Sequence, residues 1–281
     1  MDWLIDPWEF EFMRRALLAG VIVAIAAAVV GTFVVLKGLA FLGDAVAHTQ
    51  LAGAAVALAS GGSSVLVTLG AGVAAVLTAV GVSAITRRGE VRQDTAIGIF
   101  FAGLFALGVL LVSREPTFAL DLNTFLVGNI LGVGDDDLYV MGGLAAAVLA
   151  LTAVFYAELR FVAYDPEMAA ASGVPVTAVQ TGLLILVALA AVVAFRLVGV
   201  VLALAMLVAP AAAAGLLVRE IPKVMALGTV FGALSTLIGL YASFHGDVAA
   251  GPSIVLSAVG IFAVVYLIAP RGVRSRRIPP A

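Results

Sequence analysis

Asp44 and His48 lie four residues apart in the run GDAVAH, Gly43 to His48. On a helix that spacing puts both side chains on one face. The surrounding stretch, 40–59, is otherwise strongly apolar. A carboxylate beside a neutral imidazole is a sound ligand pair for a first-row divalent metal. The carboxylate brings charge, and the imidazole suits zinc, iron or manganese. Two other readings stay open. The pair also fits a hydrogen-bonded brace between helices, or a location at the membrane interface beside Lys37. Thr49 and Gln50 are polar neighbours, but adjacent residues point to different faces of a helix.

A second segment, 158–175, reads ELRFVAYDPEMAAASGVP. Asp165 is a good N-cap and Pro166 suits the first helical position. Glu167 favours the positive end of the helix dipole. Met168 to Ser172 are mostly helix formers, Gly173 fits the position after the helix, and Pro175 stops it. The pattern predicts a short helix of about two turns with an exposed Met and Ala surface. It fits a docking helix for a cytoplasmic partner and also an ordinary interfacial helix.

The elements that position these groups follow from composition. Of 281 residues, 63% are apolar and 11% charged, and mean hydropathy is +1.20. A soluble globule of this size could not hide so much apolar surface, so a soluble enzyme, a disordered chain and a nucleic-acid binder are excluded. There is no Cys, which removes disulfides, thiolate zinc sites and thiol nucleophiles. A spanning helix needs about 20 apolar residues. Candidates fall at 16–36, 40–59, 63–85, 94–113, 138–157, 176–195, 197–218, 223–244 and 252–270. The expected fold is an all-α polytopic bundle of about nine spans, with eight to ten possible. The whole of 1–281 reads as one transmembrane domain.

Charge sets the orientation. The loop 86–93 holds Arg87, Arg88 and Arg92 and is taken as cytoplasmic. That choice places Lys37, Arg160, Arg219, Lys223 and the basic tail 271–281 on the same side. Most acids then fall outside, including Asp135–Asp137 in a loop read as solvated. Arg14 and Arg15 break the pattern and are expected to snorkel to the outer interface. The acidic start carries no signal-peptide pattern. Within 1–15, residues 3–13 with Trp3 and Trp8 suggest an interfacial helix. Small residues, Gly98, Gly103, Gly228 and Gly232, suggest close helix packing. Pro210 removes a backbone donor mid-span, a kink with a weaker claim to gating or lining a path. His245 and Asp247 read as an outer turn. No P-loop, HExxH or GxSxG run occurs.

Several stretches resemble the permease subunit of bacterial ABC importers for manganese, zinc or iron(II). They are GTFVVLKGLAFLGDAVAHTQLAGAAVA (31–57), DTAIGIFFAGLFALGVLLVS (94–113), FLVGNILGVGDDDL (125–138), DPEMAAASGV (165–174), VGVVLALAMLVAPAAAAGLL (198–217) and SFHGDVAAGPSIVL (243–256). Their order and spacing agree over about 12–270. The chain departs from the family pattern at Ala47 and Thr49, which flank His48, and at Ala52, where a Pro is usual and whose absence could alter the helix path.

The resemblance implies a fold like the vitamin B12 and siderophore importers, in the bacterial cytoplasmic membrane. It implies a homodimer of permeases, a cytoplasmic ATP-binding subunit that does the hydrolysis, and an outer metal-binding protein. No cofactor is bound permanently, no nucleic acid is engaged, and the divalent metal is the cargo. Carried over residue by residue, it assigns Asp44 and His48 to the metal path. It assigns Asp165, Pro166, Glu167, Met168 and Gly173 to ATPase coupling. A chelate permease for haem or a siderophore, a proton-coupled secondary transporter using Asp44, and an intramembrane enzyme are the competing readings.

Overall fold

The computed structural model describes residues 2–61, 64–87, 89–113, 128 and 130–269. The basic tail, Arg88, Arg114 and most of 114–129 lie outside the described residues. Everything regular among the described residues is helical, as a chain in lipid requires, since backbone groups there find partners only within the chain. The elements are α1 (Asp2–Glu9), α2 (Glu11–Leu36), α3 (Ala40–Ala59), α4 (Ser64–Thr86), α5 (Gln93–Val112), a 3-10 turn (Ile130–Gly132), α6 (Asp135–Val154), α7 (Tyr156–Tyr164), α8 (Pro166–Ala171), α9 (Val176–Leu217), α10 (Ile221–Gly246) and α11 (Ala250–Ile268). Among the described residues, eight helical stretches are long and apolar enough to span, and Ala203–Leu217 is a shorter apolar one.

α9 joins two of the expected spans. A straight helix of its 42 residues would run about 63 Å, twice the hydrocarbon thickness. It does not run straight. Ser83 Oγ meets Thr181 Oγ1 at 2.6 Å near the inner end, while Val192 lies beside Gly72 farther out. The first arm therefore climbs outward. Past the break, Met206 reaches Gly232 and Ala211 packs on Gly228. Because α10 climbs from Lys223 toward Asp247, the second arm must descend. The chain reverses near Gly199, whose φ of 74° and ψ of 177° fall in a region open essentially to glycine alone. Pro210, the sequence's kink candidate, sits inside the second arm without a break in the helix.

α2 is the spine. It is 67% buried over its central window, against 17% for α5 and 22% for α6. Its small residues step by four, Gly20, Ala24 and Ala28, against Thr236, Gly232 and Gly228 of the antiparallel α10. Backbones approach closely there, as small residues in membrane helices allow. On the other side, a Cβ at Gly31 would overlap the Leu207 carbonyl. α3 and α4 meet the same way, since a Cβ at Gly53 would overlap the Gly70 carbonyl. α3 runs unbroken through Ala52, so the missing Pro leaves a continuous helix. Gly98 and Gly103 differ from expectation: added side chains there would meet open space, because α5 is packed only along one edge.

The outer end explains Arg15. Its Nη2 bonds Glu11 at 2.6 Å and Asp135 at 2.8 Å, tying α2 to the start of α6. Asp135–Asp137 thus form the first turn of α6 rather than a loop, and Gly134 N–H donates to Asp137 Oδ2 at 3.3 Å. Carboxylates are favoured at that helix end. α1 covers most of the stretch 3–13 expected to be helical, and Trp8 packs on Tyr241 with centroids 5.9 Å apart.

Gly53→Val is expected to cost about 1–3 kcal/mol through overpacking, read as a lower thermal midpoint of the detergent-purified chain. Gly98→Val, in open space, is the control and leaves the midpoint unchanged. Equal effects would contradict the packing described for α3 and α4.

Candidate metal-path site

α3 carries the pair as the sequence predicts. His48 Nδ1 is 2.9 Å from the Asp44 main-chain oxygen and 3.4 Å from Asp44 Oδ1. With the Nδ1 proton donated to that carbonyl, the Nε2 lone pair is left for a ligand, the tautomer a metal-binding imidazole needs. The side chains are 20% and 26% exposed, while their α3 neighbours Leu42, Gly43, Ala45, Val46 and Ala47 are buried. The pair therefore opens onto the surface of the chain and is not a sealed brace between helices.

α5 supplies the wall. Phe101 and Phe105, one turn apart, stack on each other and present edge-to-face contacts to His48 at 5.1 and 5.5 Å. Phe41 adds a further edge contact to Phe101 at 6.5 Å. Sequence reasoning missed this aromatic wall; the signal was the four-residue spacing of Phe101 and Phe105 on the helix that follows α4. Aromatic walls fix the imidazole ring without competing for its lone pair. Thr49 and Gln50 turn elsewhere. Thr49 and Thr78 share a 3.0 Å hydrogen bond that ties α3 to α4, and Gln50 is wholly buried. Lys37, at the inner end of α2, is half-buried, and desolvation lowers its pKa from the usual lysine value. No group of three or more His, Asp or Glu side chains is assembled among the described residues, so one chain brings two ligands of this kind.

The short helix forms as its caps dictate. Asp165 Oδ1 accepts from Met168 N at 2.8 Å, and Pro166 is the first residue of α8. At the other end Gly173 has φ +83° and donates to Ala170 O, while Val174 donates to Ala169 O, both at 3.0 Å. Ala169 is buried against the body, while Glu167 is exposed and Met168 is 56% exposed. The helix is thus fixed along one side and leaves the other exposed.

At the outer end His245 lies in the last turn of α10. It stacks on Tyr241 at 5.2 Å, and Asp247 follows in the left-handed conformation. Among the described residues they form no cluster with Asp44 and His48.

Asp165→Ala is expected to cost about 1 kcal/mol of local helix stability. Hydrogen exchange should show faster exchange at Met168 and its neighbours with α2 unchanged; unchanged exchange at Met168 would show that the cap does not hold α8.

A model of the ABC 3 transport family matches residues 9–269. The chain is 38% identical to the manganese transport system membrane protein MntC of Halalkalibacterium halodurans, over 95% of this chain and 91% of that one. It is 35% identical to the manganese import system permease protein ScaB of Streptococcus gordonii, over 94% and 93%. It is 33% identical to a probable iron transport system membrane protein of Haemophilus influenzae, over 94% and 96%. Among solved structures, PsaBC from Streptococcus pneumoniae in complex with Fab superposes with a TM-score of 0.85 at 35% identity, covering 96% of each chain. A chain described as a metal-chelate type ABC transporter, in an inward-facing conformation, shares the fold with a TM-score of 0.72 at 16% identity, over 91% and 85%.

Proposed function

The chain belongs to the ABC 3 transport family, and from that premise we propose that Asp44 and His48 contact a divalent metal on its way into the cell. The chain is a multi-pass permease of the cytoplasmic membrane. Its relatives are named for manganese and for iron, and a carboxylate–imidazole pair suits both. Manganese is the first cargo to test.

The observation that carries the reading is the pair's exposure. Ionisable side chains inside a membrane face a bundle interior or a water-filled path. Here they open outward on α3, beside the little-buried α5, so a second surface must complete their surroundings. A second copy of the chain supplies it most simply: two Asp44 and two His48 then line one path, with water filling the remaining positions. Such a sparse shell favours passage, because an ion held too firmly would not leave.

ATP is bound and hydrolysed on a separate cytoplasmic subunit, and an outer metal-binding protein delivers the ion. Glu167 and Met168 on α8 are the contacts offered to the ATPase, in a helix held by Asp165, Pro166 and Gly173. Pushing α8 would move α9, whose first arm begins just after it. Pro210 leaves the Met206 carbonyl without its helical partner, a point of compliance beside the path. The chelate reading has support only at the level of fold, and the ionisable pair argues against it.

The test is metal uptake by cells that express the chain with its ATPase and binding protein. Asp44→Asn and His48→Ala are each expected to reduce manganese uptake by about 10-fold or more, the loss of one charge-assisted ligand contact, at wild-type membrane levels. Uptake of zinc and iron is counted alongside. Undiminished uptake of every metal in both variants would remove the pair from the path.

A further inference from the structure

A cavity of about 470 Å³ opens between the inner end of α6, α7 and the first arm of α9. Its walls are apolar: Leu151, Phe155, Val179, Gly182 and Leu186 among them. Among the described residues one charged group lines it, Glu158, whose enclosed Oε2 has no hydrogen-bond partner there. The metal path does not use this groove. It lies on the side of α6, a helix that packs on α2 and α9 and is only 22% buried within the chain, away from the α3 and α5 face assigned above to a second copy.

Depth and charge say what fills it. The groove starts at Pro175, on the basic inner side, and rises to Leu186. Eleven residues of helix span about 16 Å, half of the roughly 30 Å hydrocarbon layer, which is one leaflet. An acyl chain of an inner-leaflet lipid matches that reach. At the foot of the groove a carboxylate with an enclosed, unpaired oxygen calls for a cation that can donate hydrogen bonds. A primary ammonium has three donors, a choline headgroup has none, and an anionic headgroup is repelled.

We propose that this groove binds one phosphatidylethanolamine molecule of the inner leaflet, its acyl chain between α6 and α9 and its ammonium on Glu158. The inference is independent of the metal-path reading. The lipid would brace the segment that carries α8, so its occupancy would bear on how that helix is held.

The test is native mass spectrometry of the full-length chain in detergent, titrated with dioleoyl phosphatidylethanolamine, phosphatidylcholine or phosphatidylglycerol. Wild type should retain phosphatidylethanolamine about fivefold better than phosphatidylcholine, the scale of one interfacial charge contact, and phosphatidylglycerol least. Glu158→Gln should remove that preference without lowering the thermal midpoint. Gly182→Leu should reduce retention of all three lipids, since a side chain there meets no neighbour within 4 Å and enters the groove. Equal retention of the three lipids by wild type would overturn the proposal. So would a preference unchanged in Glu158→Gln, or one for phosphatidylglycerol. If Glu158→Gln leaves lipid retention intact but weakens capture of the ATPase, the carboxylate belongs to a protein interface and the proposal fails.

Discussion

Hydrocarbon offers a backbone amide no hydrogen bond, so a chain in a bilayer must satisfy its own peptide groups or leave them at considerable cost. The bundle is organised around that demand. Its described regular structure is helical, its breaks are few, and the sharpest of them falls on a glycine, Gly199, in a conformation that other residues resist. The same demand lets small residues do the work of a hydrophobic core. With lipid as apolar as leucine, helices gain by close approach, and α2 meets α10 through Gly20, Ala24 and Ala28 facing Thr236, Gly232 and Gly228.

Against this background an ionisable pair is conspicuous. Asp44 and His48 sit on a helix whose other faces are spent on packing: Gly43 on the second arm of α9, Thr49 and Gly53 on α4. What remains is the face toward α5, where two stacked phenylalanines hold the imidazole and leave one of its nitrogens available. On the proposed reading, the rest of the chain presents two weak ligands at a surface. In that proposal, alternating access needs only that two such surfaces move relative to each other, with α8 as the point where the drive enters.

Much of this was legible in the residues. Apolar runs of about 20 residues located the spans, because bilayer thickness fixes that length. The caps of α8 were legible too, since Asp165, Pro166 and Gly173 each act locally. The aromatic wall was not, because Phe101 and Phe105 in an apolar helix look like any lipid-facing aromatics until α3 is laid against them. Arg15 seemed misplaced on the outer side, and its reason is a partner 120 residues away, Asp135. Gly98 and Gly103 were read as packing residues, yet a side chain added at either would meet no described atom within 4 Å. Spacing in one helix does not say which of its faces has a neighbour.

The central claim is that His48 and Asp44 ligate the metal in transit. Pulsed electron paramagnetic resonance of manganese bound to the assembled transporter tests it most directly, because a coordinated imidazole nitrogen modulates the echo. The account predicts nitrogen modulation in the wild type that disappears in His48→Ala. A manganese signal with oxygen ligands alone, identical in the two proteins, would contradict it.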